Sequence, residues 1–351
     1  MEKTKKQILN YTIEELKQEL EKLGEKKFRA DQIFVWLHKQ NVLDFDSMTN
    51  LSKGLREKLA GSFNVSLLKI NKIAASKTEN TRKYLFELPD GNFIESVYMQ
   101  EGNRVTLCIS TMVGCPVGCP YCATGLMGFS RNLTTAEIVN QLLFIDAKEE
   151  VPVTNIVFMG MGEPFLNYDN VIKAAQLFNA PSGAEISARK ITISTCGIVP
   201  AIRRYTKEGH KFKLAVSLNG TTDDQRTIMI PINKKYSLTM LIDSLKQYTQ
   251  ATKQRVTFEY ILVKDFNDSA DDGRRLRAML SSFPCKLNII PYNENEHCAF
   301  QGPSEQELDR FLKRMYKAPF AVTVRRSKGQ DISAACGQLY AKKRQETLDH
   351  K

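Results

Sequence analysis

The period of the hydrophobic positions changes along the chain. Over residues 1–75 apolar side chains recur among many charges at a spacing that predicts helices. Thr12-Ile13-Glu14-Glu15 has the form of a capping box that opens one. Phe28 to Lys39 carries Ile33, Phe34, Trp36 and Leu37, and Met48 to Leu59 gives a third amphipathic segment. Together these predict a small N-terminal helical domain. The period then shortens to two. Residues 83–88 and 93–99 flank Pro89-Asp90-Gly91-Asn92, which signals a β-hairpin within a connecting stretch, 76–100. Phe93, Glu95, Val97 and Met99 share one face of its second strand, so Glu95 stands among apolar neighbours. A carboxylate in such a place is ordinarily salt-bridged or at an edge.

From Arg104 onward, strands and helices alternate. Strands are predicted at Val105–Ser110, Asn155–Met159, Lys190–Ser194, Lys213–Ser217, Val256–Val263 and Lys286–Pro291. Helices are predicted near Thr134–Ala147, Asp169–Phe178, Val199–Lys207, Ser237–Thr249 and Ser269–Ser282, with Thr134 and Glu137 forming a second capping box. A helix near 304–317 and a strand near 320–325 follow. Six βα units predict an α/β domain over 101–351 with a parallel sheet, either doubly wound or an open partial barrel. No G-x-G-x-x-G follows the first strand, and there is no Walker A motif.

Composition narrows the picture only a little. The chain has 351 residues, is 42% hydrophobic, and has no apolar run of the roughly 18 to 20 residues that span a bilayer. Met1 to Lys6 lacks the apolar stretch of a signal peptide, so a cytoplasmic protein without a membrane partner is expected. The net charge of +11 favours a polyanion without requiring one. Candidate phosphate contacts are the basic residues of the N-terminal part, Arg325, Arg326 and Lys328, and Lys342, Lys343 and Arg344. Runs of charge are also, most often, solvated faces.

Cysteine placement is more specific. Of eight cysteines, Cys115, Cys119 and Cys122 stand at C-x3-C-x2-C spacing with no fourth nearby. Three thiolates can hold three irons of a [4Fe–4S] cluster and leave the fourth iron open, whereas electron-transfer clusters use four cysteines. Structural zinc would call for further Cys or His pairs, and no His lies near this loop. In α/β sheets, chemistry gathers at the C-terminal ends of strands. Those ends carry the cysteine loop, Met159-Gly160-Met161-Gly162-Glu163-Pro164, Ser194-Thr195-Cys196-Gly197, Ser217-Leu218-Asn219-Gly220 and Pro291-Tyr292-Asn293. A carboxylate, hydroxyls, amides and close backbone suit a ligand such as S-adenosyl-L-methionine (SAM), which presents an ammonium, a carboxylate, a ribose and an adenine.

With these stretches, Arg104 to Ser110, Arg131-Asn132-Leu133-Thr134, Met229-Ile230-Pro231-Ile232-Asn233 and Ala334-Ala335-Cys336-Gly337-Gln338-Leu339, the chain resembles the RlmN/Cfr family of radical SAM RNA adenine methyltransferases over nearly its full length. The resemblance implies a partial (β/α)6 TIM-like radical SAM barrel behind an RNA-binding helical domain. It implies a [4Fe–4S] cluster on Cys115, Cys119 and Cys122, and SAM contacts from Gly162, Glu163, Ser194, Ser217, Leu218, Asn219 and Asn293. Cys336 would carry the methyl group, Cys108 would pair with it as a transient disulfide, and Glu95 would accept a proton. The implied reaction is C2 methylation of adenosine 2503 in 23S rRNA, with adenosine 37 of tRNA as a further substrate. An electron donor such as flavodoxin or ferredoxin and a monomeric enzyme complete the expectation. Asn219 stands where many members have His, and Ser333 where Asp is common. Pro164 is closer to the RlmN branch than to the Cfr branch, which methylates carbon 8 and confers antibiotic resistance. A non-catalytic RNA-binding module with a structural metal is the alternative from another class.

Overall fold

The structure, a computed structural model, describes residues 5–65, 68–294 and 298–341. Lys342, Lys343 and Arg344 lie outside the described residues. Helices Ile13–Lys22, Phe28–His38 and Lys53–Ser62 form the N-terminal unit. The predicted capping box opens the first: Thr12 accepts from the Glu15 N–H at 3.3 Å, and the Glu15 carboxylate accepts from the Thr12 N–H at 2.7 Å. The third helix begins at Lys53 rather than Met48, because Ser52 caps it by accepting from the Leu55 N–H. This unit rests on the outer helices of the following domain through Asn10, which accepts from the Ala136 N–H at 2.8 Å, and the Lys173–Glu15 pair at 2.7 Å.

Ten strands make one mixed sheet whose spatial order is the sequence order. Lys69–Ala75, Thr81–Glu87 and Phe93–Glu101 run antiparallel, and the last pairs with Arg104–Cys108. The predicted hairpin is therefore continuous with the main sheet. Lys69–Ala75, read from sequence with the helical part, is an edge strand. From Arg104–Cys108 the parallel strands Asn155–Phe158, Ile191–Thr195, Lys213–Ser217, Val256–Leu262, Cys285–Pro291 and Ala321–Val324 follow in turn. Each crossover carries a main helix: Thr135–Lys148, Tyr168–Asn179, Val199–Glu208, Leu238–Thr252, Ala270–Leu280 and Glu305–Met315. A doubly wound sheet reverses its strand order at a switch point. This order never reverses, which makes the domain a partial barrel. Val256–Leu262 is buried along its whole length, as expected of a central parallel strand covered on both faces. No helix among the described residues is long and apolar enough to cross a membrane.

Candidate active site

The cysteine loop is built on a small ladder in which Met112–Gly114 pairs with Phe129–Asn132. The Cys115 N–H donates to the Gly128 carbonyl at 2.8 Å and closes the loop. Gly114 has φ +73°, and a Cβ there would collide with that carbonyl, so only glycine serves. Two bonds dock the Cys336 segment onto the loop. The Ala123 N–H donates to the Gly337 carbonyl at 2.8 Å, and the Thr124 hydroxyl to the Leu339 carbonyl at 2.7 Å.

Cys115, Cys119 and Cys122 face a common cavity at the C-terminal ends of the strands, together with Gly162, Glu163, Ser194 and Ser217. Among the described residues no three His, Cys, Asp or Glu side chains converge closely enough to hold one metal ion. Three thiols around one cavity would suit a four-iron cluster, one thiolate per iron. Burial pushes the Cys115 thiol up to about 12 and raises Cys119 and Cys122 as well. Cationic metal is what would hold such buried groups as thiolates.

Glu163 is fixed by the backbone. One oxygen accepts from the Cys196 N–H at 2.6 Å, the other from the Phe165 N–H at 2.9 Å. Burial raises its carboxyl above the ordinary range despite these bonds. Gly162 before it has φ +101°, and a Cβ would stand 2.6 Å from the Met112 side chain.

Cys336 lines this cavity and also a second, smaller one. The second contains Cys108, with Met99, Met159, Arg325 and Leu339. Both cysteines are free thiols. Burial, with Cys336 close by, pushes the Cys108 thiol up to about 12, and the Arg325 charge opposes that shift.

Residues 6–65 match the ribosomal RNA large subunit methyltransferase N-terminal domain, and residues 109–272 match the radical SAM superfamily. The dual-specificity RNA methyltransferase RlmN of Geotalea uraniireducens is 45% identical over 332 residues, 95% of this chain and 96% of that protein. Its counterpart in Geobacter sulfurreducens is 45% identical over 335 residues, 95% and 92% of the two chains. The chain belongs to the RlmN family. The crystal structure of a radical SAM methyltransferase from Sphaerobacter thermophilus matches with a TM-score of 0.91 at 40% identity, covering 95% of this chain and 99% of that one.

Against the residues that the RlmN family resemblance implies, the cavity receives the three cysteines, Gly162, Glu163, Ser194, Ser217 and Cys336. It does not receive the other three implied SAM contacts. Leu218 is fully buried, and its N–H donates to the Glu259 carbonyl at 2.9 Å. Asn219, at φ +53°, turns inward: its amide donates to the Tyr121 hydroxyl and accepts from the Ile261 N–H, both at 2.9 Å. Asn293 braces the Cys336 segment, donating to the Ser327 hydroxyl at 2.8 Å and accepting from the Gln330 amide at 2.8 Å. Glu95 lines neither cavity. It pairs with Lys83 at 2.9 Å and accepts from the Tyr340 N–H at 2.9 Å, and burial raises its carboxyl.

Two charged residues enter the site unannounced. Arg325, read from sequence as a phosphate contact, points into both cavities and donates to the Met159 sulfur at 3.2 Å. Glu259 lines the main cavity. One oxygen accepts from Asn288 at 2.9 Å, and the other has no partner among the described residues. The available signal was a lone carboxylate in the apolar run Val256-Thr257-Phe258-Glu259-Tyr260-Ile261-Leu262.

Proposed function

We propose that the chain is an RNA methyltransferase that adds a methyl group to carbon 2 of adenosine, at position 2503 of 23S rRNA and at position 37 of tRNA, by way of S-methylcysteine at Cys336. One observation carries this reading: Cys336 faces the three-cysteine loop across one cavity and shares a second with Cys108. The relatives' name, dual-specificity RNA methyltransferase, supports the substrate class.

Cys115, Cys119 and Cys122 would hold a [4Fe–4S] cluster, which with SAM supplies the one-electron chemistry that an electron-poor ring carbon demands. The protein's own groups do the rest. Glu163 and the unpaired oxygen of Glu259 offer acceptors for the ammonium and hydroxyls of SAM, and Ser194 and Ser217 offer further polar contacts. The Arg325 charge opposes the burial that raises the Cys108 thiol. Once the carbon is on the base, the Cys108 thiolate attacks the Cys336 sulfur. An S–S bond forms, the S–C bond breaks, and its electron pair passes to the carbon, which takes a proton to complete the methyl group. A thiol reductant then resets the pair. Glu95, already raised by burial, is the candidate to hold the proton lost from the base. Flavodoxin or ferredoxin would supply electrons to a monomeric enzyme in the cytoplasm.

The test uses reconstituted protein, a 23S rRNA fragment, SAM and a reductant, with nuclease digestion and mass spectrometry. The expected product is 2-methyladenosine, absent with Cys336→Ala. Full turnover by that variant would remove the methyl-carrier mechanism, and 8-methyladenosine would move the enzyme to the Cfr type.

A further inference from the structure

Arg226 is the largest of the fully buried side chains among the described residues. It sits on the helix Asp223–Met229, just after the turn Ser217 to Gly220. Its Nη1 donates to Asn233 at 2.9 Å, and its Nη2 to the carbonyls of Cys196 and, at 3.4 Å, Ser217. Its Nε has no partner among the described residues. Two glycines make its space. A Cβ at Gly197 (φ +108°) would stand 2.9 Å from Nη2, and one at Gly220 2.7 Å from the Arg226 nitrogen. None of these hydrogen-bond partners is a carboxylate. Asp223 is reached only through Asn233, which donates to it at 2.9 Å, and Asp223 is exposed.

A guanidinium taken out of water costs several kcal/mol unless a negative charge or strong dipoles answer it. Two carbonyls and an amide answer part of that. The exposed Asp223 carboxylate answers a little more, and the rest falls to what occupies the adjoining cavity. Cys196 and Ser217, whose carbonyls Nη2 holds, line that cavity together with Cys119, one of the three loop thiols. A four-iron cluster on three thiolates carries a net charge of about −1, and about −2 when reduced.

We propose that Arg226 is the buried counter-charge of the cluster: a positioning residue that touches no substrate, clamps the turns after two strands through their carbonyls, and stabilises the reduced cluster. This rests on the assignment of the cluster to Cys115, Cys119 and Cys122. A fixed positive charge favours the more negative state, so its removal makes reduction harder.

The experiment is a redox titration of anaerobically reconstituted full-length protein, followed by visible absorption and electron paramagnetic resonance. Arg226→Gln is expected to move the midpoint potential to more negative values. Arg226→Lys, which keeps the charge, is expected to stay near the wild-type value. Asp223→Asn gives a second reading that leaves Arg226 itself in place and changes only the acceptor behind Asn233 and the Leu238 N–H. It removes the carboxylate that partly cancels Arg226, and at low salt it is expected to move the potential the opposite way. A loaded Arg226→Gln protein with the wild-type potential overturns the proposal. If that variant does not fold, an unchanged potential in Asp223→Asn overturns it. Wild-type protein that takes up no iron and sulfide sinks the cluster assignment itself, a different outcome.

Discussion

Asn219 shows how a single side chain can lie at a functional strand end and yet look away from the ligand space. Its amide spans two elements, holding Tyr121 of the cysteine loop and the Ile261 N–H of the neighbouring strand. Replacing it with Ala leaves a buried N–H unpaired, at about 1–3 kcal/mol, and keeps a Cβ in the left-handed region without the amide that lets Asn sit there, at about 1 kcal/mol more. Asn219→Gly pays only the first of these. Chemical denaturation should therefore rank stability as wild type, then Asn219→Gly, then Asn219→Ala. Equal losses in the two variants would mean that the backbone conformation is not strained. The same residue marks what was legible at this scale. Cysteine spacing and the Gly162-Glu163 turn identified groups that do line the cavity, because there the backbone itself dictates placement. The direction of an amide in a left-handed turn is not written in a motif. Neither is the entry of Arg325, whose sequence neighbours Arg326 and Lys328 suggest a surface run.

At the scale of elements, the helices were the most readable. Both expected capping boxes form, at Thr12 and at Thr134, where Glu137 also takes a bidentate contact from Arg131. Parallel strands were found within a few residues because buried apolar runs between helices leave few alternatives. Lys69–Ala75 was missed because it is an edge strand, mostly exposed, with Lys69 and Lys72 along it. Such residues guard an edge against pairing and erase the alternation that signals a strand. The helix Phe28–His38 has a further consequence. His38 is buried at its end, with its ring 4.2 Å from that of Phe34, and burial pushes its pKa down to about 3. An unfolded His titrates near 6.5. Between those values the unfolded chain binds a proton that the folded one refuses. The contribution is intact above about pH 6.5 and is lost as pH falls, by up to about 1.4 kcal/mol per pH unit. Thermal melts from pH 7 to pH 5 should show this slope, and His38→Leu should flatten it. An identical slope in the variant would assign the acid sensitivity elsewhere.

For the whole molecule, the question is how a chain of net charge +11 offers cations to RNA. Among the described residues near the Cys336 segment, two of the candidate cations are already paired. Arg326 makes two bonds to Glu305, at 2.6 and 2.7 Å, and Lys328 lies 3.4 Å from Glu101 and 3.9 Å from Glu79. Lys83 holds Glu95 and donates to the Ser333 carbonyl at 3.1 Å, so the hairpin and the segment are tied together. Glu95→Ala removes both that ion pair and the acceptor for Tyr340. Hydrogen exchange should then quicken over residues 333–341 while the central strands stay protected. For RNA, each phosphate contact at these positions must displace a carboxylate. The Arg326–Glu305 pair is exposed on both sides, so it contributes little to stability and can be opened cheaply. Glu305→Gln leaves Arg326 without its competitor. Affinity for an rRNA fragment, read by fluorescence anisotropy from 50 to 200 mM salt, should fall in wild type with a log–log slope of several. In Glu305→Gln, binding should tighten at low salt and the slope should steepen by roughly 0.7 to 0.9, one further counterion released per complex. An unaltered slope would place Arg326 off the RNA path, and a flat wild-type response would mean that no phosphate-tracking surface exists.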